Sequence, residues 1–249
     1  MRPEAHRRLM EGRGREVLVA VIDSGWSSEF GHPQVRPQLA VDGSLDVPGG
    51  DRLGHGTACS LRILQVAPDA EILPIRVFHD RLETSVQALC EAIQVARNAG
   101  ARIVNLSMST RRSDATTPLF RVCEEARREG VVVVAAAFNG GGHALPAFLE
   151  PVLSVDQGRQ TDLLDFTYHP GAGIECTAAA RGVPIPRPGA TPIQRGGSSV
   201  AASTVSGIVA RLVERERYDL DGVRRVLSLL SRPSFRSDIS QSPMEAVES

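Results

Sequence analysis

Five short runs of the chain are almost continuously apolar: EVLVAVI at 16–22, EILPIRVF at 71–78, ARIVNL at 101–106, VVVVAAA at 131–137 and PVLSV at 151–155. Runs of this length without polar alternation fit strands buried on both faces, as in a parallel sheet covered by helices. Between them the period changes. Over 84–98 apolar residues recur every three or four positions (Val86, Leu89, Cys90, Ile93, Ala96), and the pattern stops at Asn98-Ala99-Gly100. The same pattern covers 118–128 and stops before Gly130. Helices are also expected at 56–66, over the small-residue stretch 199–214 and over the amphipathic stretch 221–230. This alternation predicts an α/β fold with a three-layer, doubly wound, mostly parallel sheet. The segment 182–197, dense in Pro and Gly, is expected to be a surface loop.

Composition narrows the chemistry. The chain has 249 residues and a formal net charge of −1, and its 28 basic residues are all Arg. Without Lys there can be no Schiff-base enzyme, no P-loop lysine and no Ser–Lys dyad. Near-zero charge argues against nucleic-acid binding by bulk electrostatics. The first fifteen residues are locally basic and read as a solvated tail (1–15), followed by one domain over 16–232 and a polar tail over 233–249. There is no apolar run of signal-peptide form and none near the ~18–20 residues of a membrane span, so the expected location is cytoplasmic, away from membranes. Cys59, Cys90, Cys123 and Cys176 lie far apart and read as free thiols; no spacing supports a metal site. No cofactor is expected.

Three short segments stand where chemistry would. Asp23-Ser24-Gly25 ends the first strand, Gly54-His55-Gly56-Thr57 opens a helix, and Gly197-Ser198-Ser199 opens the long small-residue helix. The carboxyl ends of parallel strands gather in one crevice, so Asp23 has the address of a site. Each signal alone fits a turn or a cap; Ser198 in particular reads as a cap. The order Asp, His, Ser is what makes the set specific. Asn is scarce, at Asn98, Asn105 and Asn139 only. Asn98 is a helix stop, whereas Asn139 follows a buried strand.

On these residues the chain resembles the subtilisin-like serine proteases (subtilases). VAVIDSG (19–25), GHGTA (54–58) and GSSVAAS (197–203) resemble the family's Asp, His and Ser motifs; RIVNLSMS (102–109) resembles its substrate strand and VVVVAAAFNGG (131–141) its oxyanion segment. The resemblance implies a subtilisin-like fold and a serine endopeptidase acting through an acyl-enzyme. Ser199 would be the nucleophile, His55 the base and Asp23 its orienting carboxylate, with Asn139 in the oxyanion hole. It also implies an extended peptide or protein substrate, lying between Ser107, Met108 and Ser109 on one side and Leu82, Glu83 and Thr84 on the other, with Ala137 and Phe138 beside the scissile bond. By family analogy the substrate would be a specific peptide precursor.

The departures from the family are local. Phe138 stands where Gly is usual and is expected either to narrow the pocket before the scissile bond or to turn into the core. Ser109 replaces a Gly, Ser203 a Pro, and Ala58-Cys59 the usual His-Val. The interval from His55 to Val66 leaves no room for the calcium loop of secreted members, and no prodomain is expected. Two other readings stay open: a transpeptidase or macrocyclase of the same fold, and a catalytically impaired peptide-binding protein. A nucleotide-binding domain is disfavoured, since Gly140-Gly141-Gly142 is not GxGxxG.

Overall fold

In the computed structural model, residues 2–46, 50–187 and 190–231 are described, with the backbone alone at 185–187 and 190–195. The tail expected over 233–249 lies outside the described residues. In chain order the elements are α1 (Arg2–Glu11), β1 (Leu18–Asp23), α2 (His55–Val66), β2 (Glu71–Arg76), α3 (Val86–Asn98), β3 (Ile103–Leu106), α4 (Thr116–Arg128), β4 (Val132–Ala136), β5 (Leu153–Gly158), β6 (Phe166–Tyr168), β7 (Cys176–Ala179), β8 (Val183–Arg187), β9 (Ala190–Arg195), α5 (Ser198–Val213) and α6 (Leu220–Leu230).

Each of the five apolar runs carries a strand, and these strands pair in parallel. The sheet has the order β2-β1-β3-β4-β5-β7-β6, with only β6 antiparallel to its neighbour. The apolar runs are continuous because both faces are covered. In β1, Val19 and Val21 point into a core shared with α1, α2, α5 and α6, while Leu18, Ala20 and Ile22 point into one shared with α3 and α4. β4 divides in the same way, with Val132 and Val134 on the first face and Val133 and Ala135 on the second. The order reverses between β1 and β3, and in such sheets the crevice opens beyond the carboxyl ends of the strands at that switch.

Two expectations are corrected. The basic N-terminal stretch is not a solvated tail over 2–11: it forms α1, which buries Ala5 and Leu9 against the core. Arg8 bonds Tyr218 at 2.7 Å and also pairs with Glu216, while Arg211 donates to the Leu9 and Met10 carbonyls at the helix end (2.6 and 2.7 Å). The segment 182–197 is not an irregular loop: β8 and β9 pair as an antiparallel hairpin with Ile185 opposite Ile193. In a two-stranded ribbon each strand keeps one unpaired edge, so Pro184 and Pro186 are tolerated despite their missing N–H. The short strands β6 and β7 extend the sheet beyond the five runs. Among the described residues, no helix is long and apolar enough to cross a membrane.

Candidate active site

The sheet sets down Asp23 at the end of β1, fully buried, in the crevice beside β3. One carboxylate oxygen, Oδ1, accepts from the Ser24 amide at 2.7 Å. His55 Nδ1 lies 2.8 Å from Oδ1 and 2.9 Å from Oδ2. A carboxylate so placed fixes which imidazole nitrogen carries the proton and leaves Nε2 as the base.

The approach of His55 to Asp23 is built by neighbours. Gly54 precedes α2 in the left-handed region (φ 68°), which turns the chain sharply into the helix. A Cβ on Gly56 would meet the Gly25 carbonyl oxygen at 2.4 Å and Asp23 Cβ at 3.1 Å, so a side chain there would push α2 away from β1. Ser24 ties the two motifs, its hydroxyl accepting from the Gly56 amide at 2.9 Å and lying 3.2 Å from Asp23 Oδ1. The start of α2 is capped from outside. Asp51 accepts from the Leu53 and Gly54 amides at 3.1 and 2.7 Å and from the Thr57 amide and hydroxyl at 2.8 and 2.7 Å. Sequence reading missed Asp51 and Ser24. The signal was present as a carboxylate four residues before His55 and a hydroxyl directly after Asp23.

Ser199 is the second residue of α5, which packs alongside α2, so two helix N-termini meet at the crevice. Ser199 is 9% exposed, buried but reachable. Its hydroxyl lies 3.4 Å from the Ser107 carbonyl, and its own carbonyl accepts from the Ser203 hydroxyl at 2.9 Å. Beneath it, Asn105 donates to the Ser107 hydroxyl (3.0 Å) and accepts from Ser206 (3.0 Å), and Cys59 Sγ sits 3.3 Å from Ser107 Oγ. This buried polar network joins α2, β3 and α5 below Ser199.

Asp23, His55 and Cys59 also bring potential metal-ligating atoms within 4.8 Å of one another. Cys59 is a poor ligand there: burial, reinforced by the Asp23 charge, pushes its thiol well above the usual range, whereas metals bind the thiolate.

Asn139 follows β4 and is exposed. Its Oδ1 accepts from the Ser198 amide at 3.2 Å and lies 2.9 Å from the Ser198 hydroxyl, which also reaches the Ala137 carbonyl at 2.7 Å. With Oδ1 engaged, the Nδ2 hydrogens are left to donate. Ser198 therefore does not cap its helix as expected; its hydroxyl turns to Asn139 and Ala137. A Cβ on Gly197, which has φ 96°, would lie 3.2 Å from Asn139 Oδ1.

The remaining candidates fall into place around this centre. Residues 107–109 and 82–84 lie outside the strands. A cavity of about 470 Å³ between them is lined by Leu82, Glu83, Thr84, Met108 and Ser109, and its floor by Phe78, Val86 and Leu89. Phe138 does not turn into the core. It is half-buried, belongs to neither core cluster, and lies under the Arg111 guanidinium at 4.2 Å.

The sequence profile of the subtilase family matches residues 14–227. The chain is 31% identical over 229 residues to the M-protease of Shouchella clausii (strain KSM-K16), covering 86% of this chain and 57% of that protein. It is likewise 31% identical over 229 residues to subtilisin Savinase of Lederbergia lenta, covering 86% and 81%. The chain thus spans little more than half the length of the first of these relatives. A lanthipeptide protease shares the fold, with a TM-score of 0.72 at 21% identity over 90% of this chain and 84% of that one. The prenylagaramide maturation protease aligns with a TM-score of 0.67 at 25% identity over 90% and 86%.

Proposed function

This chain belongs to the subtilase family, and from that premise we propose that it is a serine endopeptidase whose catalytic unit, within 16–232, works through Asp23, His55 and Ser199. The observation that carries the reading is the buried carboxylate of Asp23 bonded to His55 Nδ1 at 2.8 Å, next to the helix that presents Ser199. A serine hydroxyl is a weak nucleophile until a base takes its proton. Ser199 Oγ attacks the scissile carbonyl as His55 accepts its proton; the imidazolium is stabilised by Asp23 and then protonates the leaving amine. Water repeats the sequence on the acyl-enzyme, releasing the new carboxyl terminus and restoring Ser199. Asn139 Nδ2 and the Ser199 amide, at the positive end of α5, receive the oxyanion.

The substrate is an extended peptide. An extended peptide pairs as a strand with the 107–109 and 82–84 segments, and the cavity between them accepts an apolar side chain several residues before the cut. Its role is the maturation of a peptide precursor, a reading supported by the likeness to the prenylagaramide maturation protease. The test is mass spectrometry of a peptide library after incubation with the protein and with Ser199→Ala. The expected result is a defined cleavage site, linear products carrying one added water and no cleavage by Ser199→Ala. Cyclic products without added water would establish the transpeptidase, and cleavage by Ser199→Ala equal to wild type would overturn the assignment.

A further inference from the structure

We propose that Arg111 sets the specificity of this groove by reading an acidic side chain on the residue that precedes the scissile bond, an inference resting on the placement of Ser199 and Asn139 given above. The oxyanion donors fix where the scissile carbonyl lies. The residue carrying that carbonyl must therefore place its side chain within one residue's reach of Asn139, against the turn from Ala137 to Gly141 and the segment from Ser107 to Thr110.

Arg111 spans those two walls. Its backbone follows Thr110, which is anchored by paired amide–carbonyl bonds with Leu145, both 2.8 Å. Its side chain crosses to the opposite wall, where Nη2 donates to the Gly141 carbonyl at 2.8 Å. The guanidinium carbon lies 4.2 Å from the centre of the Phe138 ring. The Gly141 amide closes the same turn onto the Phe138 carbonyl at 2.9 Å, so the charge sits on the turn that presents Asn139.

Two features mark this arginine as one that waits for a partner. Several arginines of this fold are matched to carboxylates; the adjacent Arg112 grips Asp114 at 3.0 and 2.6 Å. Arg111 has no carboxylate partner among the described residues, and Nη2 alone of its donors is engaged there. Stacking on Phe138 holds the guanidinium plane without consuming its outer N–H edge, which matches a carboxylate two bonds at a time. Phe138, which departs from the family's Gly, supplies the platform. A Cβ on Gly140 would come within 2.5 Å of Phe138 Cε1, so the neighbouring glycine makes room for the ring.

The experiment compares paired fluorogenic peptides that differ only in Glu or Gln before the scissile bond, with wild type, Arg111→Gln and Arg111→Glu. Fluorophosphonate labelling of Ser199 is measured in each. Wild type is expected to favour Glu by about tenfold or more in kcat/KM, about 1.4 kcal/mol by the usual conversion, and less so at high salt. Arg111→Gln should bring the ratio near one, and Arg111→Glu should invert it toward Gln. Labelling of Ser199 with equal rates on Glu and Gln overturns the role of Arg111 and leaves the catalytic assignment standing. So does a Glu preference that persists in Arg111→Glu. A folded wild type that neither labels nor cleaves overturns both.

Discussion

At the scale of single residues, the aim of Asn139 depends on Ser198. Asn139 has no element of its own to hold it, and both contacts that orient its amide come from Ser198. Removing one oxyanion donor typically lowers turnover by ~10²–10³, so Asn139→Ala should fall in that range with KM little changed. Ser198→Ala keeps the backbone contact and loses the hydroxyl, so it should cost less, roughly tenfold in kcat, and Ser198→Thr should restore most of it. Steady-state kinetics on one cleaved peptide checks this; a loss confined to KM would contradict the positioning role. The proposed triad of Asp23, His55 and Ser199 could be read from the sequence because the order of the three motifs is specific. The role of Ser198 was not, because a hydroxyl before a helix reads first as a cap, and only the folded neighbour Asn139 redirects it.

At the scale of elements, α2 carries His55, the proposed base, and is fixed by Asp51. Four donors converge on that carboxylate. Asp51→Ala should lower stability by about 1–2 kcal/mol, as for loss of a strong cap. It should also lower kcat, since His55 is the helix's first residue, while Asp51→Asn should be milder. Chemical denaturation alongside kinetics reads both, and a stability loss with unchanged kcat would limit Asp51 to a structural role. The opposite end of the molecule offers the contrast. Leu9 of α1 is 5% exposed, and Leu9→Ala should cost ~2–4 kcal/mol, a Tm drop of roughly 5–10 °C, with kcat at room temperature retained. α1 was hidden in the sequence because its apolar face is only Ala5 and Leu9. Its contacts from Arg8 to Tyr218 and Glu216 join residues about two hundred positions apart. The strands buried on both faces were plain in the apolar runs, whereas β6 and β7 are three and four residues long and interrupted by half-buried Thr167 and Thr177, so no continuous apolar run marks them.

At the scale of the whole molecule, the buried thiols couple folding to pH. Burial pushes Cys123 from about 9 up to about 12, and raises Cys59 and Cys176 as well. Burial, then Glu175, raises Tyr168. Above about pH 9 the unfolded chain releases these protons before the folded one does, so the native state binds more protons and stability falls as pH rises. Tm should therefore decline steadily from about pH 9 to about pH 12, and Cys123→Ala should lessen the slope. A Tm that stays level over that window would contradict this linkage. The same burial leaves the folded protein's thiols slow to alkylate near neutral pH.

The two-sided sheet gathers Asp23, Asn139 and the two helix N-termini into one crevice, and the account rests on the claim that this crevice makes Ser199 a nucleophile. Incubation with a fluorophosphonate, followed by peptide mapping, tests it most directly. The predicted result is a single phosphonylated residue, Ser199, with fluoride released, no label on Ser199→Ala and strongly slowed labelling of Asp23→Asn. A folded wild-type protein that stays unlabelled, or one labelled equally well after Ser199→Ala, would contradict it.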